Sequence, residues 1–353
     1  MSTRVLEAIR ARIAAEGPID FATYMSLALY GPGGFYEQPP IGAGGDFVTS
    51  PHVHSAFGSF LARALAALAD AVAPPTRPLR LVEVGAGDGT LAREILDAGI
   101  GRPLRYGAIE ISEGARGALT RVAGVALAET TAGADLVLAH ELLDNLPFRL
   151  VRDGREVRID AEGDTLVQRT VSIDDALRAV LSDADTQEEL VVPVGALAFV
   201  EELAGGLERG YALVIDYGRE GSAGGAVHGY RDHRPVEDVL ASPGEIDITA
   251  GVDFSWIARH AADAGLQAFR SVTQQRALLA LGFEEWLRSE LAQQHAHLQE
   301  GRGLEAVRTW SARSRATMLV DPGALGRLRW LVFASPGLPE PDWLRAASDR
   351  TAD

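Results

Sequence analysis

The sequence predicts an α/β fold built around a mainly parallel sheet, and three observations carry that reading. Apolar runs of strand length alternate with segments of helical periodicity between residues 79 and 334. One of those runs feeds a glycine-rich turn, Gly85-Ala86-Gly87-Asp88-Gly89, that opens a helix. The chain has 353 residues and is 47% hydrophobic, enough for one large domain or two ordinary ones with a proper core.

Residues 1–73 read as an N-terminal helical cap with an irregular middle. Helical spacing of Val5, Leu6, Ile9 and Ile13 runs to about residue 15, where Gly17-Pro18 stops it. A short helix fits 21–29, a Gly/Pro-rich loop follows through Pro51, and a helix resumes over 54–72. After a proline-rich linker comes the core, 79–340. Leu79–Val84 is a strand, Thr90–Ala98 a helix, 105–111 a strand, 112–122 a helix and 135–139 a strand. Tyr211–Asp216, 266–271 and 328–334 are the remaining core strands, and 284–317 is helical and charged. Two stretches interrupt this rhythm. The first, about 149–206, starts as a polar hairpin around Asp153-Gly154 and continues as helix. The second, 218–253, is rich in Gly, His, Arg and Asp and is expected to be a long ordered loop, a substrate-side lid or a surface loop bonded to itself.

Composition excludes several chemistries. There is no cysteine, so disulfides, thiolate zinc sites and a cysteine nucleophile are out. All 33 basic residues are arginine, which removes a Schiff-base lysine and a P-loop lysine. A net charge of −16 opposes non-specific nucleic-acid binding. No apolar run reaches the ~18–20 residues that span a bilayer. The arginine-bearing amphipathic start could resemble a transit peptide, but Glu7 and Glu16 oppose that, and the expected location is cytoplasmic. The pairs His52-x-His54 and His295-x-His297 have no third ligand at persuasive spacing, so no metal is expected.

The glycine turn identifies a cofactor class. A dinucleotide fingerprint would be GxGxxG, whereas this turn is GxGxG followed by Thr90. Glu83 stands two residues before the first glycine, where it would repel a pyrophosphate and suit a cation. S-adenosylmethionine carries a sulfonium and an ammonium and no phosphate. Glu110 ends the next strand, 25 residues after Gly85, where a carboxylate can take ribose hydroxyls.

Together with segments elsewhere, this turn resembles the MidA-type family of S-adenosylmethionine-dependent methyltransferases. The resemblance runs through Ile19-Asp20-Phe21-Ala22-Thr23-Tyr24-Met25 and Gly45-Asp46-Phe47-Val48-Thr49-Ser50-Pro51. It continues through residues 83–89, Glu141-Leu142-Leu143-Asp144-Asn145-Leu146-Pro147, Asp216-Tyr217-Gly218 and Pro243-Gly244-Glu245-Ile246-Asp247-Ile248-Thr249. It departs at His52, His140 and Leu328-Arg329, where that family usually has Glu, Asn and Phe-Lys. The resemblance implies a class I, Rossmann-like methyltransferase whose mitochondrial members methylate an arginine during assembly of respiratory complex I. The implied partner is an arginine-bearing protein substrate, with no nucleic acid or membrane and with a homodimer allowed. Cofactor contacts are expected from Glu83, Gly85, Gly87, Asp88, Gly89, Glu110, Ile111, His140, Thr49 and Ser50.

Methyl transfer from a sulfonium is an in-line displacement, so alignment and exclusion of water matter most. A guanidinium arrives charged and needs carboxylates to hold it and localise its charge. Glu141 and Asp144, three residues apart just past the fourth strand, are the candidates. Capping of the following turn is the competing reading for both. Asp46 is a third candidate, because the resemblance implies that its loop closes over the cofactor. A small-molecule N- or O-methyltransferase and a scaffold protein without turnover are the alternative functions.

Overall fold

The computed structural model describes residues 3–37, 49–74, 76–181, 189–221, 225–232 and 234–349. The expected parallel sheet is present. Its strands are β1 (Leu79–Val84), β2 (Leu104–Ile109), β3 (Val125–Leu127), β4 (Leu136–His140), β5 (Tyr211–Asp216), β6 (Gln267–Ala268), β7 (Val272–Thr273) and β8 (Arg329–Ala334). The order across the sheet is β6-β8-β5-β4-β1-β2-β3, with β7 also on β8. Strands β1 to β5 are mutually parallel, and β8 runs antiparallel to β5, β6 and β7.

Both faces of this sheet are covered, which is why its strands are apolar without a polar face. In β4, Leu136 and Leu138 join one core while Val137 and Ala139 join the other. Leu213 and Ile215 against Ala212 and Val214 repeat the alternation in β5, as do Trp330 and Val332 against Leu331 and Phe333 in β8. Helices Ala56–Val72 and Thr90–Ala98 pack on the first face, Val194–Gly206 and Phe254–Asp263 on the second.

A second core forms from segments far apart in sequence. Val5, Ile9 and Ile13 of the first helix and Phe21, Tyr24 and Met25 of the next pack with the five-stranded antiparallel sheet that holds the 149–192 insertion. Within it the expected hairpin turns at Asp153 and Gly154, both with positive φ, which suits the strand twist. Helix Ala56–Val72, by contrast, belongs to the main core.

Several local expectations change. Segment 218–253 is not a loop. It contains a three-stranded sheet, Val227–Arg231 between Arg234–Val236 and Asp247–Ala250, and a short parallel pair, Gly218–Arg219 with Val252–Asp253. Glycine at the centre of this sheet has a steric cause: a Cβ on Gly229 would lie 2.9 Å from Val239 Cγ1 and 3.0 Å from Ile246 Cγ2. The strand expected at 266–271 is reduced to β6, and β7 follows it just beyond the expected end. The helix expected from 54 begins earlier and breaks at His54, whose extended backbone separates Ser50–Val53 from Ala56–Val72. Among the described residues no helix is long and apolar enough to cross a membrane.

Candidate active site

Strand order reverses between β1 and β4, and the segments after β1, β4 and β5 leave the sheet at one edge. Such a switch point leaves a crevice at the carboxyl ends of the strands. Here it is a cavity of about 1000 Å³, reached also by Tyr36, by Thr49 and His52, and by the three-stranded sheet.

Glycine is required at the first turn. Gly85, Gly87 and Gly89 have φ of 72°, 55° and 78°, in the left-handed region. Gly85 and Gly87 line the cavity, and a Cβ on Gly85 would lie 2.9 Å from Leu142 Cδ1. Gly89 has a different role: it caps helix Thr90–Ala98, and a Cβ there would meet Val122 and Leu119. Behind the loop, Glu110 accepts the Gly87 N–H through Oε2 and the Ser112 N–H through Oε1, both at 2.8 Å. The neighbouring Ile111 is 67% exposed and outside the cavity lining.

Acids dominate the cavity wall. Glu83 is buried and accepts the Tyr106 hydroxyl at 2.7 Å. Burial pushes its carboxyl up to about 8, with the charges of Glu110 and Asp88 adding to the effect and the Tyr106 bond opposing it. Asp88 behaves in the opposite way. Burial would raise it, but hydrogen bonds from His52 and Thr90 hold it at about 2. His52 is fixed on both ring nitrogens, by Thr49 Oγ1 at 2.8 Å and Asp88 Oδ2 at 3.1 Å, so it ties the incoming 49–52 segment to the glycine loop. His140 is buried beside Phe57, and burial, assisted by His52, lowers its imidazole to about 3, so it is neutral.

Glu141 and Asp144 follow β4. Glu141 has φ 51°, unusual for a residue with a side chain, and its N–H donates to Ile215 O at 2.8 Å. Burial and the charge of Asp216 push its carboxyl up to about 8, opposed by the Ser50 N–H. Its Oε1 has no hydrogen-bond partner among the described residues; His140 Nε2 lies 3.4 Å away but out of line. Asp144 is buried on the short 3₁₀ turn Leu143–Asn145, and its Oδ1 is likewise open. Burial and the charges of Asp216, Asp247 and Glu141 raise its carboxyl well above the ordinary range.

Of the residues expected from sequence, the structure gathers Glu83, Gly85, Gly87, Asp88, Thr49, His140, Glu141 and Asp144 around one cavity. Glu110 and Gly89 support the loop from behind. Ser50 is buried away from the lining, its side chain bonded to Gln274 and its N–H to Glu141. Asp46 lies outside the described residues, as does His233. Asp216, Asp247, Tyr36 and Tyr217 belong to this site and were not singled out for chemistry. Asp247 accepts the Tyr36 hydroxyl at 2.8 Å and the Asn145 amide at 3.0 Å across a separation of 102 residues from Asn145. A carboxylate closing an otherwise apolar buried strand, as Asp216 closes β5, was the available signal.

The residues fit a ligand that, like S-adenosylmethionine, carries a sulfonium and an ammonium. Buried acids line the cavity, Glu141 Oε1 and Asp144 Oδ1 are buried acceptors without a hydrogen-bond partner among the described residues, and the wall at Gly85 has no room for a side chain. Glu83, Asp88 and the glycine loop would hold the cofactor, which supplies an electrophilic methyl group. Glu110→Ala is expected to weaken cofactor binding by about 1–3 kcal/mol in calorimetric titration, because the Gly87 amide of the cavity wall loses its anchor. An unchanged dissociation constant would remove Glu110 from the site.

These acids also set the pH dependence of stability. Glu83 and Glu141, together with Glu94 on helix Thr90–Ala98 outside the cavity lining, are raised by burial to about 8, about 8 and about 7. A raised carboxyl binds its proton more tightly in the folded than in the unfolded chain, so the stability it contributes is full below the unfolded value and lost as pH rises through the folded one. The melting temperature of the ligand-free protein is therefore expected to fall between about pH 5 and pH 8. A rising melting temperature across that window would show that these carboxyls are ionised in the folded state.

Comparison with known proteins agrees with this geometry. Residues 60–272 match the profile of a family described as S-adenosyl-L-methionine-dependent methyltransferases. The chain is 30% identical to the mitochondrial protein arginine methyltransferase NDUFAF7 of Mus musculus over 333 residues, covering 78% of this chain and 73% of the relative. The Danio rerio protein of the same name is 29% identical, over 79% of this chain and 77% of its own length. Among solved structures, a methyltransferase-superfamily protein from Burkholderia thailandensis bound to S-adenosyl-homocysteine superposes with a TM-score of 0.82 at 28% identity, covering 99% of this chain and 95% of that one. A sheet with this switch point, a glycine loop flanked by buried acids and these relatives lead to one conclusion: the chain belongs to the family of S-adenosyl-L-methionine-dependent methyltransferases.

Proposed function

We propose that this methyltransferase acts on a protein and that its methyl acceptor is an arginine side chain. The observation that carries the reading is the pair of buried carboxyls with open oxygens, Glu141 and Asp144, at the edge where the glycine loop meets the cavity. The names of the curated relatives support the same acceptor.

A guanidinium stays protonated at any working pH and is poorly nucleophilic for that reason. A carboxylate beside it localises positive charge on the nitrogens it touches and leaves density on the third. Glu141 is the residue for this contact, with Asp144 beside it. Their protons leave when a cation takes their place, since burial without a cation is what keeps them protonated. Tyr36 and Tyr217 wall the same space and exclude water. Neutral His140 cannot repel the incoming charge.

The test is transfer of tritiated methyl from S-adenosylmethionine into extract of a strain lacking the protein, followed by mass spectrometry of the labelled species. Label on arginine of a protein supports the reading. Label confined to small molecules establishes the small-molecule alternative, and cofactor binding without any transfer establishes the scaffold.

A further inference from the structure

Asp216 is fully buried and lies behind the turn that carries Asp144. Its Oδ2 accepts the N–H groups of Leu142 and Leu143 at 2.9 and 2.6 Å, and its Oδ1 accepts the N–H of Tyr217 at 2.8 Å. The Asp144 N–H is a fourth donor. The Asp144 carboxyl is hydrogen-bonded to Asp216 as well, while its Oδ1 is open. Ionised carboxylates only accept, so a hydrogen bond between two of them requires a proton on one. Burial raises the Asp216 carboxyl to about 6, against the pull of its four N–H donors, whereas Asp144 has no such set of donors among the described residues and is raised well above the ordinary range, which places the proton on Asp144.

We propose that Asp216 is a positioning residue for the methyl-acceptor side of the site: its charged carboxylate clamps the 142–144 turn and keeps Asp144 neutral until a cationic acceptor enters. The proposal rests on the arginine reading for the acceptor's identity. Around the pair stand Glu141 on the same segment, Asp247 from the three-stranded sheet, Tyr30 and Tyr36 from the N-terminal segment, and Tyr217 with Arg327 over its ring. Arg327 is the single cation in that group among the described residues; it lies over the Tyr217 ring, lines the cavity and is exposed. Arg219, which also reaches the cavity, is exposed as well. A further negative charge at Asp144 therefore has no buried counter-ion among the described residues until substrate supplies one. A carboxyl that ionises only against a cation favours a guanidinium over a neutral acceptor of the same size.

The experiment compares the parent with Asp216→Asn and Asp144→Asn. Difference infrared spectroscopy against pH, which needs no substrate, reads the C=O band of a protonated carboxyl. At neutral pH the parent is expected to show protonated-carboxyl bands from Asp144 and also from Glu83 and Glu141; Asp144→Asn should lack one of them, and Asp216→Asn should lose that one at lower pH because the neighbouring charge is gone. Cofactor affinity in Asp216→Asn should stay within about twofold while kcat falls about tenfold or more, with the acidic limb of the pH–rate profile moved down. A structural role alone would lower activity without moving that limb. A spectrum from which Asp144→Asn removes no band, an unmoved titration of that band in Asp216→Asn, or cofactor affinity lost in step with activity overturns the proposal. If Asp216→Asn does not fold, the band in the parent and in Asp144→Asn decides, because the amide introduced by the latter substitution can donate to Asp216 as the carboxyl does. If the parent methylates something other than arginine, the infrared result still stands or falls by itself.

Discussion

Replacing Gly85 with valine is expected to abolish S-adenosylmethionine binding. Gly85 turns the chain at φ 72°, where a β-branched residue is strained, and it faces the cavity directly. A Cβ there would stand 2.9 Å from Leu142 Cδ1, so the new side chain would displace both the cofactor's space and the segment that leads to Asp144. The left-handed backbone alone costs ~1–2 kcal/mol for a residue with a Cβ. Calorimetric titration of the folded variant, with circular dichroism and melting temperature as controls, is the measurement. Gly85→Ala provides a gentler form, because the Leu142 methyl is the end of a flexible side chain and can move. It should weaken binding without eliminating it. Parental affinity in Gly85→Val would place the cofactor elsewhere.

The second large effect is expected at Glu141, on chemistry apart from binding. Glu141→Gln keeps the size, the strained backbone and most hydrogen bonding but cannot become negative. Methyl transfer should fall roughly 10²-fold or more with nearly normal cofactor affinity, the scale of losing one positioned electrostatic group. The sign of the pH dependence follows from burial. The carboxyl is held protonated up to about 8 in the empty pocket, and the guanidinium-holding form is the ionised one. Parental activity should therefore rise with pH through this range, and Glu141→Gln should lose that limb. Transfer at the parental rate would remove Glu141 from the acceptor site. Loss of cofactor binding instead would assign it to the cofactor and leave Asp144 and Asp247 to face the acceptor.

What could be read from the chain alone was whatever is written within one strand or one turn. Two-sided burial makes Leu136, Val137, Leu138 and Ala139 all apolar, so a core strand announces itself in sequence. Glu83 and the three glycines sit within seven residues, so the cofactor class was legible there. Glu141 and Asp144, three residues apart in one segment, were legible for the same reason. Segment 218–253 was illegible as sheet because Gly229 serves a close approach to Val239 and Ile246, and a glycine in sequence reads as a break.

Tertiary structure alone decided the environment of those residues. Asp216 is 75 positions from Glu141, yet its carboxylate holds the 142–144 turn. Asp247 reaches Tyr36 across 211 residues. Glu110, expected from the sequence at a ribose, anchors the Gly87 amide. Protonation was decided at the same level, since Glu83, Glu141 and Asp144 are ordinary acids in sequence and become proton carriers through desolvation and mutual repulsion. Local periodicity specifies where a side chain starts. Which groups surround it, and with what charge, depends on segments that meet only when the sheet has formed.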